Sequence, residues 1–206
     1  MVGSVTSVSD SVPPLIANPL VPLPRSPLGQ ANPDDRMRGW YENELGWATV
    51  PGEPVRLFTG RRFDVLDVPA EAGHAALGRL SLTSPVALRG DRMLLLVAAG
   101  SAEELRGILD WLEWGALPLD LAAIGAGGVI EAPLLPGRAG SGAAQGAAVW
   151  LRPPVTGCEV ESSLPTMSAL GGRKGAPDLV RLVDTVATQC HRVRLWRGCA
   201  QPIAFS

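Results

Sequence analysis

The stretch FDVLDVPAEAG, residues 63–73, decides how this chain is read. Phe63, Val65, Leu66 and Val68 are apolar, Asp64 and Asp67 interrupt them, and Pro69 closes the run. A short apolar run rich in β-branched and aromatic residues, bounded by Pro and Gly, predicts a buried strand. Side chains alternate along a strand, so Phe63, Val65, Asp67 and Pro69 share one face and Asp64, Leu66 and Val68 the other. Asp64 and Asp67 therefore cannot clamp one ion while the segment is extended. A carboxylate in such a strand is costly without a partner. Asp67 has two candidate tasks: contact with a metal, or capping of a helix that opens at Ala70, where Asp is a favoured N-cap.

Working outward, short strand-like runs fall at 55–58, 85–88, 92–98, 119–124, 128–132 and 147–151, with helical candidates at 70–81 and 101–114 between them. SAEELRGILDWLEW (101–114) opens with Ser101 and carries Glu104 three residues on, the spacing of a capping box. PDDRMRGWYENELGWATVPG (33–52) begins with a proline and two acids, a helix start. The segment 177–197 is amphipathic: Leu179, Leu182, Val183, Val186, Cys190 and Val193 form its apolar stripe, and Arg192, Arg194 and Arg197 crowd its C-terminal end, where positive charge suits the helix dipole. The alternation predicts an α+β fold, a mostly antiparallel sheet flanked by helices. Residues 1–33 carry prolines every few positions and little charge, and read as a disordered arm. The organisation expected is thus an arm (1–33), a domain (34–154), a Gly/Pro-rich loop (155–176) and a C-terminal helix packing on the domain (177–206).

The chain has 206 residues, 46% of them hydrophobic, enough for one domain with a core. Its net charge of −2 excludes a whole-chain field that attracts nucleic acid, so any such contact needs a local patch. The basic residues are almost all arginine, Lys174 being the one lysine, which together with the Gly, Ala and Pro content reads as a GC-rich genome. Three irregularly spaced cysteines do not make a disulfide scaffold. No cationic start precedes an apolar core at the N-terminus, and MLLLVAA (93–99) is too short to span a bilayer. A cytoplasmic protein with no membrane partner is the expectation.

Four further segments extend the reading of 63–73. GWATVPG (46–52), TGRRFDVLDVPAEAG (59–73), ALRGDRMLLLV (87–97), LDLAAIGAGGVIEAP (119–133) and WLRPP (150–154) come in an order and spacing that resembles the N-terminal bifunctional DNA primase/polymerase (Prim-Pol) family of the archaeo-eukaryotic primase superfamily, in a degenerate, actinobacterial-type form. The resemblance spans about 37–154. It implies an RRM-like, primase-type sheet and template-directed nucleotidyl transfer with divalent metal. It implies metal carboxylates at Asp67 and Asp120, with the second of the family's three acids falling on Pro69, which cannot ligate. The family's phosphate-contacting histidine would fall on Met93, while Arg92 beside it is retained as a candidate nucleotide or phosphate ligand. Glu71, in the turn after Pro69, is a candidate substitute for the missing acid. The interval before the acidic strand is short, with no Gly-Lys-x-Pro-like segment and no zinc cysteine cluster.

Two-metal chemistry needs converging carboxylates. Loss of one electrostatic partner of a transition state typically costs on the order of 10²–10³ in rate, so the changes at Pro69 and Met93 predict little polymerase. Magnesium is still held by one or two carboxylates plus substrate phosphates. The expectation is therefore a nucleotide- or nucleic-acid-related binding or regulatory module, with Mg or Mn arriving with nucleotide. The rivals are an active DNA primase/polymerase with unusual ligands, and a scaffold without nucleotide chemistry. Nucleotide or DNA are the implied partners, and a protein partner recognising the Pro-rich arm fits its composition. Arg92 also reads as an ion-paired strand residue. Cys158, Cys190, His191 and Cys199 lack a CxxC knuckle and read as buried free thiols and a lone histidine rather than a zinc site. His74 reads as structural. GAGG (125–128) reads as a tight turn, with no helix after it to make a dinucleotide fingerprint. Tryptophans 111, 114, 150 and 196 sit in periodic segments and read as core or interface packing rather than base stacking.

Overall fold

A computed structural model describes residues 32–136, 146–167 and 178–199 of the chain. Most of the Pro-rich arm, and parts of the loops at 134–146 and 155–176, lie outside the described residues. The arm's expected boundary moves: Asn32 and Pro33 belong to the first helix, α1 (Pro33–Gly39), where the Asn32 side chain accepts from the Asp34 N–H. A π-helical turn, Trp40–Glu44, continues it. Strands β1 (Thr49–Val50) and β2 (Arg56–Phe58) follow, then β3 (Phe63–Pro69) and α2 (Ala70–Leu77). The hairpin of β4 (Val86–Arg89) and β5 (Arg92–Ala98) leads to α3 (Ser101–Trp111). Then come β6 (Ala122–Ile124), β7 (Val129–Glu131), β8 (Val149–Arg152) and α4 (Leu179–Cys199).

The fold is α+β with antiparallel sheets. The main sheet has five strands in the order β6-β3-β5-β4-β8, and a second has three in the order β1-β2-β7. Strand β3 is central to the architecture because it pairs on both edges, with β5 along its whole length and with β6 over Val65–Asp67. An acid-interrupted apolar run suits that position: both faces are covered, so both need apolar residues. Leu66, Val68, Val86, Met93, Leu95 and Val97 face one way, into a core shared with α2, α3 and α4. Phe63, Val65, Ala87, Leu94 and Leu96 face the other way, against Tyr41, Trp47, Leu57 and Ile130. Each fully buried side chain of this kind contributes roughly 1.5–3 kcal/mol.

The alternation predicted for 63–69 is therefore borne out, and so is the stripe of α4, all six of whose residues are buried. Two helices end earlier than their sequence pattern predicts. Helix α2 stops at Leu77 rather than 81, because the chain tightens at Gly78, with Arg79 N–H donating to Ala76 O and Leu80 N–H to Leu77 O. Helix α3 stops at Trp111 rather than 114. Its expected Ser101 cap is also corrected: Ser101 is the first helical residue and buried, and the capping position is Gly100 at φ 89°. That left-handed backbone is easy for Gly and costly for a residue with a Cβ.

Helices do not lie on one face alone. Helices α2, α3 and α4 cover one side of the main sheet, and α1, through Met37, packs with Trp40 and Leu45 on the other. Among the described residues no helix is long and apolar enough to cross a membrane.

Candidate functional site

The Gly90-Asp91 turn between β4 and β5 sets Arg89 directly opposite Arg92. Across the next pairing, Arg92 stands opposite Pro69 at the end of β3. Because residues two apart share a face, Asp67, Pro69, Arg92 and Arg89 gather at one corner of the sheet, on the face away from α2–α4. Asp120 enters from the loop just before β6. Its expected strand, 119–124, begins only at Ala122.

Arg92 ties this corner together. Its Nε donates to Asp67 Oδ1 at 2.7 Å, its Nη1 to Asp120 Oδ1 at 2.7 Å, and its Nη2 to the Asp67 carbonyl at 3.0 Å. Arg89 Nη2 lies 3.6 Å from Asp67 Oδ2. The Asp67 side chain is 14% exposed and that of Arg92 22%, whereas Asp120 is 53% exposed. Burial alone would lower the Arg92 pKa, but the bonds to Asp67 and Asp120 outweigh it and the guanidinium is pushed up. Planar guanidinium geometry suits this: one Arg offers a fork of N–H donors that two carboxylates and a carbonyl can share.

The two acids singled out from the sequence thus meet at one guanidinium, and Arg92 is ion-paired. The alternative in which Asp67 caps α2 is not realised. The residue at that N-cap is Pro69, without a side-chain bond, and Asp67 is engaged by arginine instead. Met93 is fully buried on the opposite face, packed among the helices. The side chain that this end of β5 presents to the corner is therefore Arg92 and not Met93. Glu71 sits in the first turn of α2, half-exposed, with Arg197 Nη2 3.9 Å from its Oε2.

Comparison with family models, with curated proteins and with solved structures finds no match. Among the described residues no group of three or more His, Cys, Asp or Glu side chains is arranged to hold a metal ion. Two carboxylates do converge, at Asp67 and Asp120. They suit magnesium or manganese only where substrate phosphates complete the shell, and only after Arg92 has let go of them.

Arg89 was not anticipated. The signal was present: a two-residue Gly-Asp turn between apolar runs predicts a hairpin that pairs the residues flanking it. Asp64 was rightly placed on the other face, but its role was missed. It has no solvent exposure, and its Oδ2 accepts from Ala102 N–H at 2.9 Å, at the start of α3, 38 residues along the chain. Burial raises its pKa; the Ala102 N–H opposes this, Glu103 adds to it, and the Gly100 and Gly60 N–H groups oppose it again. Its Oδ1 has no partner. Asp64 is thus the anion at the positive end of α3, a structural task.

The remaining candidates separate cleanly. Cys190 is buried, its Sγ 3.7 Å from the Asp120 carbonyl, and burial pushes the thiol up to about 12, with Asp120 adding and Arg92 opposing. Such a thiol is inert at neutral pH. Cys158 and Cys199 are exposed, against the expectation of burial, because each lies outside the packed stripe. His74 is exposed on α2. The GAGG stretch makes the expected tight turn, with Gly128 N–H donating to Gly125 O at 3.0 Å. Trp150 joins the core through Tyr41, its Nε1 donating to the Tyr41 hydroxyl at 3.1 Å while that hydroxyl donates to Pro133 O at 2.6 Å. Trp114 donates to Asp184 at 3.0 Å. Trp111 and Trp196 are 74% and 66% exposed, so of the two expected roles, core or interface packing, the core one does not hold for them.

Proposed function

We propose that this chain is a primase-polymerase-like module that binds nucleotide phosphates without efficient nucleotidyl transfer. One observation carries the reading: Arg92 and Arg89 face Asp67 and Asp120 on one corner of the central sheet. A nucleotide triphosphate offers oxygens that compete for the two guanidiniums. A divalent ion entering with it would be held by Asp67 and Asp120, which Arg92 releases as it turns to the phosphates. When bound, the ion would screen phosphate charge. Arginine, aspartate, phosphate and cation thus exchange partners with no net charge left unpaired, which keeps the desolvation cost of the exchange low. Catalysis needs more. Pro69 supplies no third ligand, so the second metal position that activates an attacking hydroxyl has no holder.

The test is calorimetric titration of a nucleoside triphosphate with and without magnesium or manganese. Binding should tighten with the metal, lose that gain in Asp67→Ala and Asp120→Ala, and weaken with or without metal in Arg92→Ala. No binding at millimolar nucleotide, or binding unchanged in all three variants, would sink the proposal. Template-directed incorporation of a labelled nucleotide would instead support an active polymerase.

A further inference from the structure

The chain is acidic overall, yet its last acid is Asp184. From Thr185 to Ser206 there are Arg192, Arg194 and Arg197, one histidine, and no Asp or Glu. This is the local patch that the net charge of −2 does not forbid. In α4 it takes a definite form. Arg192, Leu195, Trp196 and Cys199 recur at i, i+3, i+4 and i+7 and so share one stripe. All four are exposed, Leu195 at 53% and Trp196 at 66%, while Val186, Cys190 and Val193 are buried.

The last turns of α4 are anchored. Arg194 Nη1 donates to the Pro118 carbonyl at 2.7 Å, and Arg197 approaches Glu71 from the other flank. A Leu-Trp pair set out on an anchored helix loses little entropy when a partner covers it. Exposed apolar side chains that lie together, rimmed by charge, mark interaction surfaces. Trp and Arg are also the residues most enriched where binding energy concentrates.

We propose that this stripe is a docking surface for an acidic segment of a partner protein, which lays an apolar side chain over Leu195 and Trp196 and sets a carboxylate against Arg192. Opposite charge would steer the encounter and fix the orientation. A single-stranded nucleic acid fits less well. Such strands are held by successive aromatic platforms, whereas Trp196 is the one aromatic residue on this stripe, and Trp114 is turned to Asp184. The docking surface does not depend on the nucleotide reading, since it uses none of Asp67, Arg92 and Asp120.

A random library of short peptides selected against the full chain tests this. The selected sequences should carry acids beside Leu, Ile or Phe. Their affinity, measured by fluorescence anisotropy, should fall at least about tenfold, or 1.4 kcal/mol, in Trp196→Ala and in Arg192→Glu, and hold in Asp67→Asn. Both changed side chains are exposed, so the fold should survive, which circular dichroism checks. The proposal fails if no acidic consensus emerges or if the selected peptides bind Trp196→Ala as tightly. It fails equally if a single-stranded oligonucleotide or anionic lipid vesicles bind more tightly with the same dependence on Trp196.

Discussion

Removing Arg92 should cost the protein more than any other single exposed-to-half-buried charge, and the loss should divide unequally between its two partners. Asp67 receives a charge-assisted bond from Nε while its carbonyl receives another from Nη2. The Asp67 side chain is only 14% exposed, so little solvent screens the pair. Bonds to charged groups contribute about 1.5–3 kcal/mol each, and Arg89 at 3.6 Å recovers part of the loss. A coupling of about 2 kcal/mol between Asp67 and Arg92 is expected. Asp120 is half-exposed, and a pair of that kind contributes about 0.5 kcal/mol. Arg92→Ala should then destabilise the fold by about 2–3 kcal/mol, a large share of the roughly 5–15 kcal/mol of a typical domain. Double-mutant cycles by urea unfolding measure both couplings. Repeating them in about 1 M salt should erase the Asp120 term and leave most of the Asp67 term, because buried pairs are screened less. Equal couplings, or an Asp67 term below about 0.5 kcal/mol, would show that Arg92 is not locked to Asp67, and the partner exchange proposed for nucleotide binding would lose its basis.

Two other outcomes follow from the packing. The Asp64 pKa is raised in the folded chain, so the folded state takes up a proton more readily than the unfolded one. The corresponding stability is fully present below the ordinary Asp value and is lost as pH rises through the raised value. Unfolding midpoints of the wild type minus those of Asp64→Asn should therefore decline as the pH rises above the ordinary Asp value; a flat difference would contradict the raised pKa. At Gly73 an added Cβ would run into Met93 Sδ and lie 3.0 Å from Met93 Cβ, so Gly73→Ala should cost about 1–3 kcal/mol as overpacking. Adding Met93→Ala to that variant should recover part of its thermal midpoint, and a purely additive loss would refute the contact.

How much of this was legible in the sequence depends on range. The two faces of β3 were readable because strand period is local and Phe63, Val65, Leu66 and Val68 declare it. Asp67, Arg92 and Asp120 were readable as a group only through a resemblance, since nothing local states that positions 25 and 28 residues apart meet. The task of Asp64 was not readable at all. Its partner is the backbone of Ala102, and every residue has a backbone N–H. The Ser101 capping pattern failed for the same reason: a competing anion arrived from β3, and Gly100 turned the chain to receive it. Trp111 and Trp196 show the limit of periodicity, which ranks positions on a helix but does not say whether anything covers them.

The opposed aspartates of β3 also bear on how the chain reaches its fold. Sliding β3 one residue along β5 would exchange its faces. Asp67 would then be driven under the helices away from both arginines, and Asp64 would lose the start of α3. Each mispaired state buries an uncompensated carboxylate, at a cost of several kcal/mol. An all-apolar strand would carry no such penalty and would pair nearly as well in the wrong alignment, or with another chain. The two acids therefore proofread the strand: they leave one alignment in which Asp67 meets its arginines and Asp64 the start of α3, and make its nearest competitors expensive.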